Sequence, residues 1–214
     1  VRTCYYLVRT FIFCTLLLFV TCAPGRCGFL ISEPYTATGF DSRSISGRSV
    51  IVLPLLKKQG IDTAGSLSDT SLMRSMCDIR KDLHFVPFRQ TIPFIHARYS
   101  EMVLPTFLND LFIGKIPVLQ AADSLWGLMN ADFMSVIRLT SGHSVRTFKG
   151  DIHKKIILEG ELWDCRKAEV VVRIVVNGIC ITPNISDDHF IIDGVKEIVR
   201  KFPLSSPAYD TQSW

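Results

Sequence analysis

The run Val170-Val171-Val172-Arg173-Ile174-Val175-Val176 constrains the fold of this chain more than any other feature. Side chains branched at Cβ crowd a helix and pack well on a pleated surface, so Glu169–Cys180 is expected to be a strand. Before it, Ile152, Ile156, Leu158 and Leu162 alternate with mostly polar residues. That is the pattern of a half-buried strand ending near Asp164. Cys165–Ala168 is a short connection, so the two runs are expected to form an antiparallel hairpin.

The rest of the chain supplies elements to pack on that hairpin. Val50–Leu56 is continuously apolar, as in a strand buried on both faces, with Pro54 where no ladder N–H is needed. Ser66 or Ser68 can cap a helix running through Leu83, in which Leu72, Met76, Ile79 and Leu83 recur at helical spacing. His84–Phe88 reads as a second short strand. Tyr99–Phe112 is expected to be helical, kinked or restarted at Pro105. Pro117 opens another helix through Leu128, with Leu125 and Trp126 facing the core. Phe133–Leu139 is a third strand, ended by Ser141-Gly142. Asp187 or Asp188 caps a final helix whose apolar stripe is Phe190, Ile191, Val195, Ile198 and Val199, stopped by Pro203. The order implies an α/β (α+β) fold: a single mixed β-sheet of about five strands with helices packed on it. It begins with a βαβ unit and ends in a β-hairpin plus helix.

The N-terminus indicates a destination. Phe11–Val20 is an uncharged apolar run of ten residues preceded by Arg2 and Arg9. Signal-peptide cores run to about 7–15 residues. A comfortable bilayer span needs about 20. A cleaved signal is therefore preferred to a retained transmembrane helix. Leu18-Phe19-Val20-Thr21-Cys22 resembles a lipobox, in the relaxed form seen in spirochaete lipoproteins. That resemblance makes Cys22 the expected lipidation site, where a diacyl group would supply the anchor. Cys27 is a second candidate, and plain cleavage after Ala23 is the competing outcome. The expected division is a signal peptide at 1–22, a flexible tether at 23–48, the domain at 49–203 and a C-terminal tail at 204–214. The tether follows from the Ser, Thr, Gly and Pro content of Gly28–Arg48.

Charge argues against nucleic acid as a partner. The net charge is +4 from 24 basic and 20 acidic residues, and two of the basic ones precede the apolar run. Nucleic-acid binders concentrate basic residues on one face, and here the pairs Lys57-Lys58 and Lys154-Lys155 stand alone. The seven cysteines include no C-x-x-C pair. Cys165 and Cys180 flank the hairpin but are expected far apart, one at its turn and one at its open end, so buried free thiols are expected for both.

The chain has no G-x-S-x-G elbow, Walker A loop, G-x-G-x-x-G or H-E-x-x-H. His143 and His153 could meet across a hairpin, but a metal site needs more ligands than these two. Asp187, Asp188 and Asp193 could gather round a cation, yet capping accounts for the first two with less machinery. Ser141-Gly142-His143-Ser144 places a Ser beside a His without a third partner. No catalytic residue, metal site or cofactor is therefore expected.

Several short patterns resemble bacterial envelope lipoproteins that share an α/β domain like the N-terminal domain of TolB and the periplasmic domain of the curli secretion protein CsgG. They are the opening strand Val50–Leu55, Ala131-Asp132 before Phe133–Leu139, and Leu158-Glu159-Gly160-Glu161-Leu162-Trp163-Asp164 before its turn. The returning strand Glu169–Arg173 and the closing Ile198–Pro203 complete the set. The turn Cys165–Ala168 lacks the usual Gly. The resemblance implies fold more than function. A pore of the CsgG kind is not expected, because Ile152–Asp164 carries His153, Lys154, Lys155, Glu159 and Glu161. The expected function is that of a non-catalytic, lipid-anchored accessory protein on the periplasmic side of a bacterial envelope. Its partners would be the membrane, through its N-terminal lipid, and an envelope protein complex. A hydrolase-like envelope enzyme and a small solute-binding lipoprotein are the alternatives.

Overall fold

The computed structural model describes residues 27–41, 45–58, 61, 69–93, 103–113, 131–146, 152–181 and 185–203. The expected signal peptide, Cys22, the caps Ser66 and Ser68, the helix from Val118 to Leu128 and the C-terminal tail lie outside them.

The hairpin is the centre of the molecule. β7 (Ile152–Asp164) and β8 (Glu169–Ile181) pair antiparallel, from Asp164 opposite Glu169 at the turn to His153 opposite Ile181. β6 (Phe133–Arg146) lies antiparallel on the other side of β7. It runs past Ser141-Gly142, where an end was expected. The ladder shifts register between Leu139 and Ser141, and this bulge absorbs Thr140 without ending the pairing. β3 (Ser49–Val52) runs parallel to β6 and to β5 (His84–Pro87). The apolar run around Pro54 does not form one strand. It breaks after Val52 and resumes as β4 (Leu56–Lys57), parallel to β6, because the Pro54 ring carries no N–H for a ladder.

Among the described residues the sheet has eight strands, more than the five or so expected. Two of the extra strands come from the segment expected to be a flexible tether. β1 (Cys27–Ile31) and β2 (Tyr35–Thr36) both pair antiparallel with β8. The order across the sheet is β1-β8-β7-β6-β3-β5, with β2 also on β8 and β4 also on β6. The tether expectation therefore fails for these residues: β8 is apolar on its inner face and needs a neighbour to satisfy its outer backbone groups.

Cys27 stands opposite Cys180 in this ladder, and the two form a disulfide. That corrects the expected free thiol at Cys180. Cys165 and Cys77 are free, the first buried and the second exposed.

Helices cover the sheet. α1 (Asp69–Ile79) and α3 (Asp187–Lys201) enclose the larger core with one sheet face. α1 buries Leu72 and Met76 but ends four residues before the expected Leu83, and the chain turns at Lys81-Asp82 to enter β5. α3 buries Phe190, Ile191, Val195, Ile198 and Val199, the expected stripe. Its cap is Ser186, whose Oγ accepts the His189 N–H at 3.2 Å. Asp187 and Asp188, expected as caps, instead occupy the first turn, where a carboxylate suits the helix dipole. α2 (Val103–Phe112) carries Pro105 in its first turn, where no intrahelical N–H is missed. It contributes Leu111 to a second core on the opposite face, with Ile51, Leu53, Met134, Val136 and Trp163.

α3 sits unusually close to β7. A Cβ built on Gly160 would lie 2.3 Å from Ile198 Cγ2, and one on Gly194 would lie 2.5 Å from Leu158 Cδ1. Only glycine permits this approach.

Candidate functional site

Two polar clusters lie on this framework. The first is at the end of the sheet where β3 and β6 begin and β7 turns into β8. Asp132, just before β6, is its hub. Its Oδ1 accepts from Arg48 at 3.3 Å and Arg166 at 3.1 Å. Its Oδ2 accepts from the Ser49 backbone N–H and the Ser49 hydroxyl, both at 3.2 Å. The Asp132 carbonyl accepts the Cys165 N–H at 2.9 Å. Asp164 Oδ1 accepts the N–H groups of Arg166 and Lys167, which folds the β7–β8 turn. Ala168 completes that turn at φ +53°, the left-handed conformation that a Gly would take without cost.

Arg48, Asp132, Phe133, Asp164 and Arg166 line an open hollow of about 140 Å³. Ligand pockets run to about 300–1,000 Å³. With four donors on its two oxygens, Asp132 is fastened as an acceptor. The cluster joins the starts of two parallel strands to a hairpin turn. Ala131-Asp132 and the Trp163-Asp164 ending, two of the patterns in the resemblance, meet here, and both do structural work.

The second cluster lies inside. Arg138 of β6 and Glu161 of β7 form an ion pair at 2.8 Å, with 3% and 1% of their side chains exposed. Arg138 Nε also donates to the Leu111 carbonyl at 2.7 Å, holding the last turn of α2 on the sheet. Glu161 accepts from Trp163 Nε1 at 2.9 Å and from Arg173 Nε at 2.8 Å. Burying an ion pair costs several kcal/mol of desolvation unless every group is matched. Here the matching extends over β6, β7, β8 and α2. The sequence carried a signal for it, since Arg138 interrupts an apolar strand, but its partner could not be read without the register.

Arg80, buried beyond the end of α1, was also missed. Its Nε and one Nη bind Asp82 at 2.7 Å, and it donates to the Phe202 carbonyl at 2.9 Å and the Pro203 carbonyl at 3.1 Å. It ties α1 to the end of α3. Arg80 holds the Asp82 carboxyl below its ordinary value of 3.8.

The other residues considered from sequence are spread out. His143 is opposite Lys155 and His153 is opposite Val145, so the two histidines are offset along adjacent strands. Asp187 pairs with Lys154 at 2.7 Å, and Asp193 with Lys196 at 2.9 Å, so they do not gather round a common point. Among the described residues no group of three or more His, Cys, Asp or Glu is placed to hold a metal. Cys165 is buried beside Asp164 and Asp132, and burial first, then those charges, pushes its thiol up to about 12.

No protein-family model matches the chain, and no curated protein is significantly similar to it in sequence. Solved structures resemble it more distantly. A variant of the PelC dodecamer from Paraburkholderia phytofirmans has a TM-score of 0.46 and 9% identity, over 83% of this chain and 99% of that one. Lipoprotein GNA1162 from Neisseria meningitidis has a TM-score of 0.42 and 13% identity, over 71% and 97%. The LpoB C-terminal domain from Escherichia coli has a TM-score of 0.38 and 10% identity, over 66% and 86%. Scores of this size leave the question of function to the residues of this chain.

Proposed function

We propose that this chain is an exported, lipid-anchored accessory protein of a bacterial envelope, non-catalytic, that holds or helps assemble a partner protein complex. The observation that carries the proposal is the Cys27–Cys180 disulfide, with a sequence separation of 153. Such a bond persists in oxidising compartments and is rare in the cytosol. It agrees with the signal-like run Phe11–Val20. It also occupies the Cys27 sulfur, the atom a lipid thioether would need, which favours Cys22 as the anchor.

The non-catalytic part rests on how the polar clusters are used. Asp132, Asp164, Glu161, Arg138 and Arg80 all hold structural elements together.

The test combines labelling and cross-linking in the native host. Fatty-acid label should enter the protein and be lost in C22A, and cross-linking in intact cells should recover a defined envelope complex. Label that persists in C22A would rule out that anchor. Turnover of a substrate by the purified protein, abolished by D132N without loss of folding, would replace this proposal with the enzyme alternative.

A further inference from the structure

The end of the sheet opposite Asp132 is where the described chain begins. Cys27 and Cys180 are there, together with the far ends of β6, β7 and β8. Four large apolar side chains stand exposed at this end: Leu30 (74%), Val145 (55%), Ile179 (49%) and Ile181 (43%). The register places them together. Val145 is opposite His153, which is opposite Ile181, and Ile179 is opposite both Lys155 and Gly28, one row from Leu30. Directly paired residues share a sheet face, so these four lie on one face, away from α3.

The strand segments at this end carry no acid. Ser141–Arg146, Ile152–Leu158, Asn177–Ile181 and Cys27–Ile31 contain no Asp or Glu. Exposed Lys155, opposite Ile179, shares the face of the four aliphatic residues, while exposed Arg146, opposite Ile152, lies at the strand end on the other face. Lys154 is spent within the fold on Asp187.

We propose that this end of the sheet is a membrane-contact surface, whose occupant is a bilayer containing anionic lipid. The inference rests on the anchored reading above. Cys22 is five residues before Cys27, and a chain of that length reaches at most about 18 Å. A lipid at Cys22 therefore holds the Cys27 end close to the bilayer, and the disulfide fixes that exit point to β8. The face held there is aliphatic, carries the cation Lys155 and is free of acids along its described strands, which matches an acyl boundary beneath anionic headgroups. Each basic residue near such a surface strengthens binding by about fivefold. The strands do not cross the bilayer. They rest on it.

Full-length lipidated protein in phosphatidylglycerol-containing vesicles with brominated acyl chains tests this. Tryptophan fluorescence would be compared in I181W and Y35W, over the wild-type background. Tyr35 is also exposed but pairs with Arg173, toward the other end of the sheet. The expected result is quenching several-fold greater in I181W than in Y35W, reduced by added K155E and by phosphatidylcholine alone. Equal quenching at the two positions would overturn the proposal. So would a concentration-dependent blue shift of I181W in lipid-free detergent, which would mark the surface as a contact with a second copy. Label at Cys22 with equal quenching overturns the surface and leaves the anchor standing. Selective quenching of I181W without label at Cys22 overturns the anchor and leaves the surface standing.

Discussion

At the scale of single residues, the polar side chains of this protein act as fasteners. Asp82 is the one whose titration can be followed. Its pKa is lowered in the folded state by Arg80. The stability it contributes is therefore fully present above its ordinary value of 3.8 and is lost as pH falls through the lower folded value. In urea unfolding, D82N should be less stable than wild type at neutral pH, and the gap should close as the solution is acidified below about 4. A gap constant with pH would show that the carboxylate charge contributes nothing. Cys165 offers a second check. With its thiol at about 12, it should resist iodoacetamide at pH 8 in the native protein, while exposed Cys77 reacts. Peptide mapping should find Cys165 modified only after unfolding. The buried free thiol at Cys165 was expected from the sequence, whereas Arg80–Asp82 was not legible there. The Arg80 fastening depends on which chain segment returns to lie alongside.

At the scale of elements, legibility followed periodicity. The hairpin of β7 and β8 and the stripe of α3 were plain, because each buries one regular face. The tether-like segment was misjudged, because β1 and β2 are short and rich in turn formers. They become strands only because β8 offers them an open edge. The packing of α3 on β7 depends on a missing Cβ at Gly160, beneath Ile198. G160A should destabilise the protein by about 1–3 kcal/mol by overpacking, read as a lower urea midpoint. A variant pairing G160A with I198A should recover part of that loss, and no recovery would show that the strain lies elsewhere. The cap of α3 shows the limits of pattern in another way. Ser186 and the two aspartates after it all suit an N-terminus, and only the backbone conformation assigns the cap to Ser186.

At the scale of the whole molecule, one covalent bond ties the beginning of the described chain to the end of the central hairpin. By loop entropy a disulfide closing about 150 residues contributes about 3–5 kcal/mol. C27S should lose an amount in that range in chemical denaturation. Hydrogen exchange should then speed up first in β1, whose backbone pairs with β8 alone. Unchanged stability in C27S would mean that the two cysteines are unbonded in the native protein.

The sequence by itself determined that this chain builds a mixed sheet around a β-branched hairpin, with helices on it and an apolar N-terminal run. Hydrophobic period is a local property, and it survives reading one residue at a time. Tertiary structure alone decided that Cys27 meets Cys180, that Glu161 lies between Arg138, Arg173 and Trp163, and that Asp132 gathers Ser49 and two arginines. Each of those depends on strand order and register, which join residues distant in the chain. It also decided that the exposed aliphatic residues of β1, β6 and β8 share one end of one face. Singly they are ordinary surface residues, and only the pairing of strands makes them a surface.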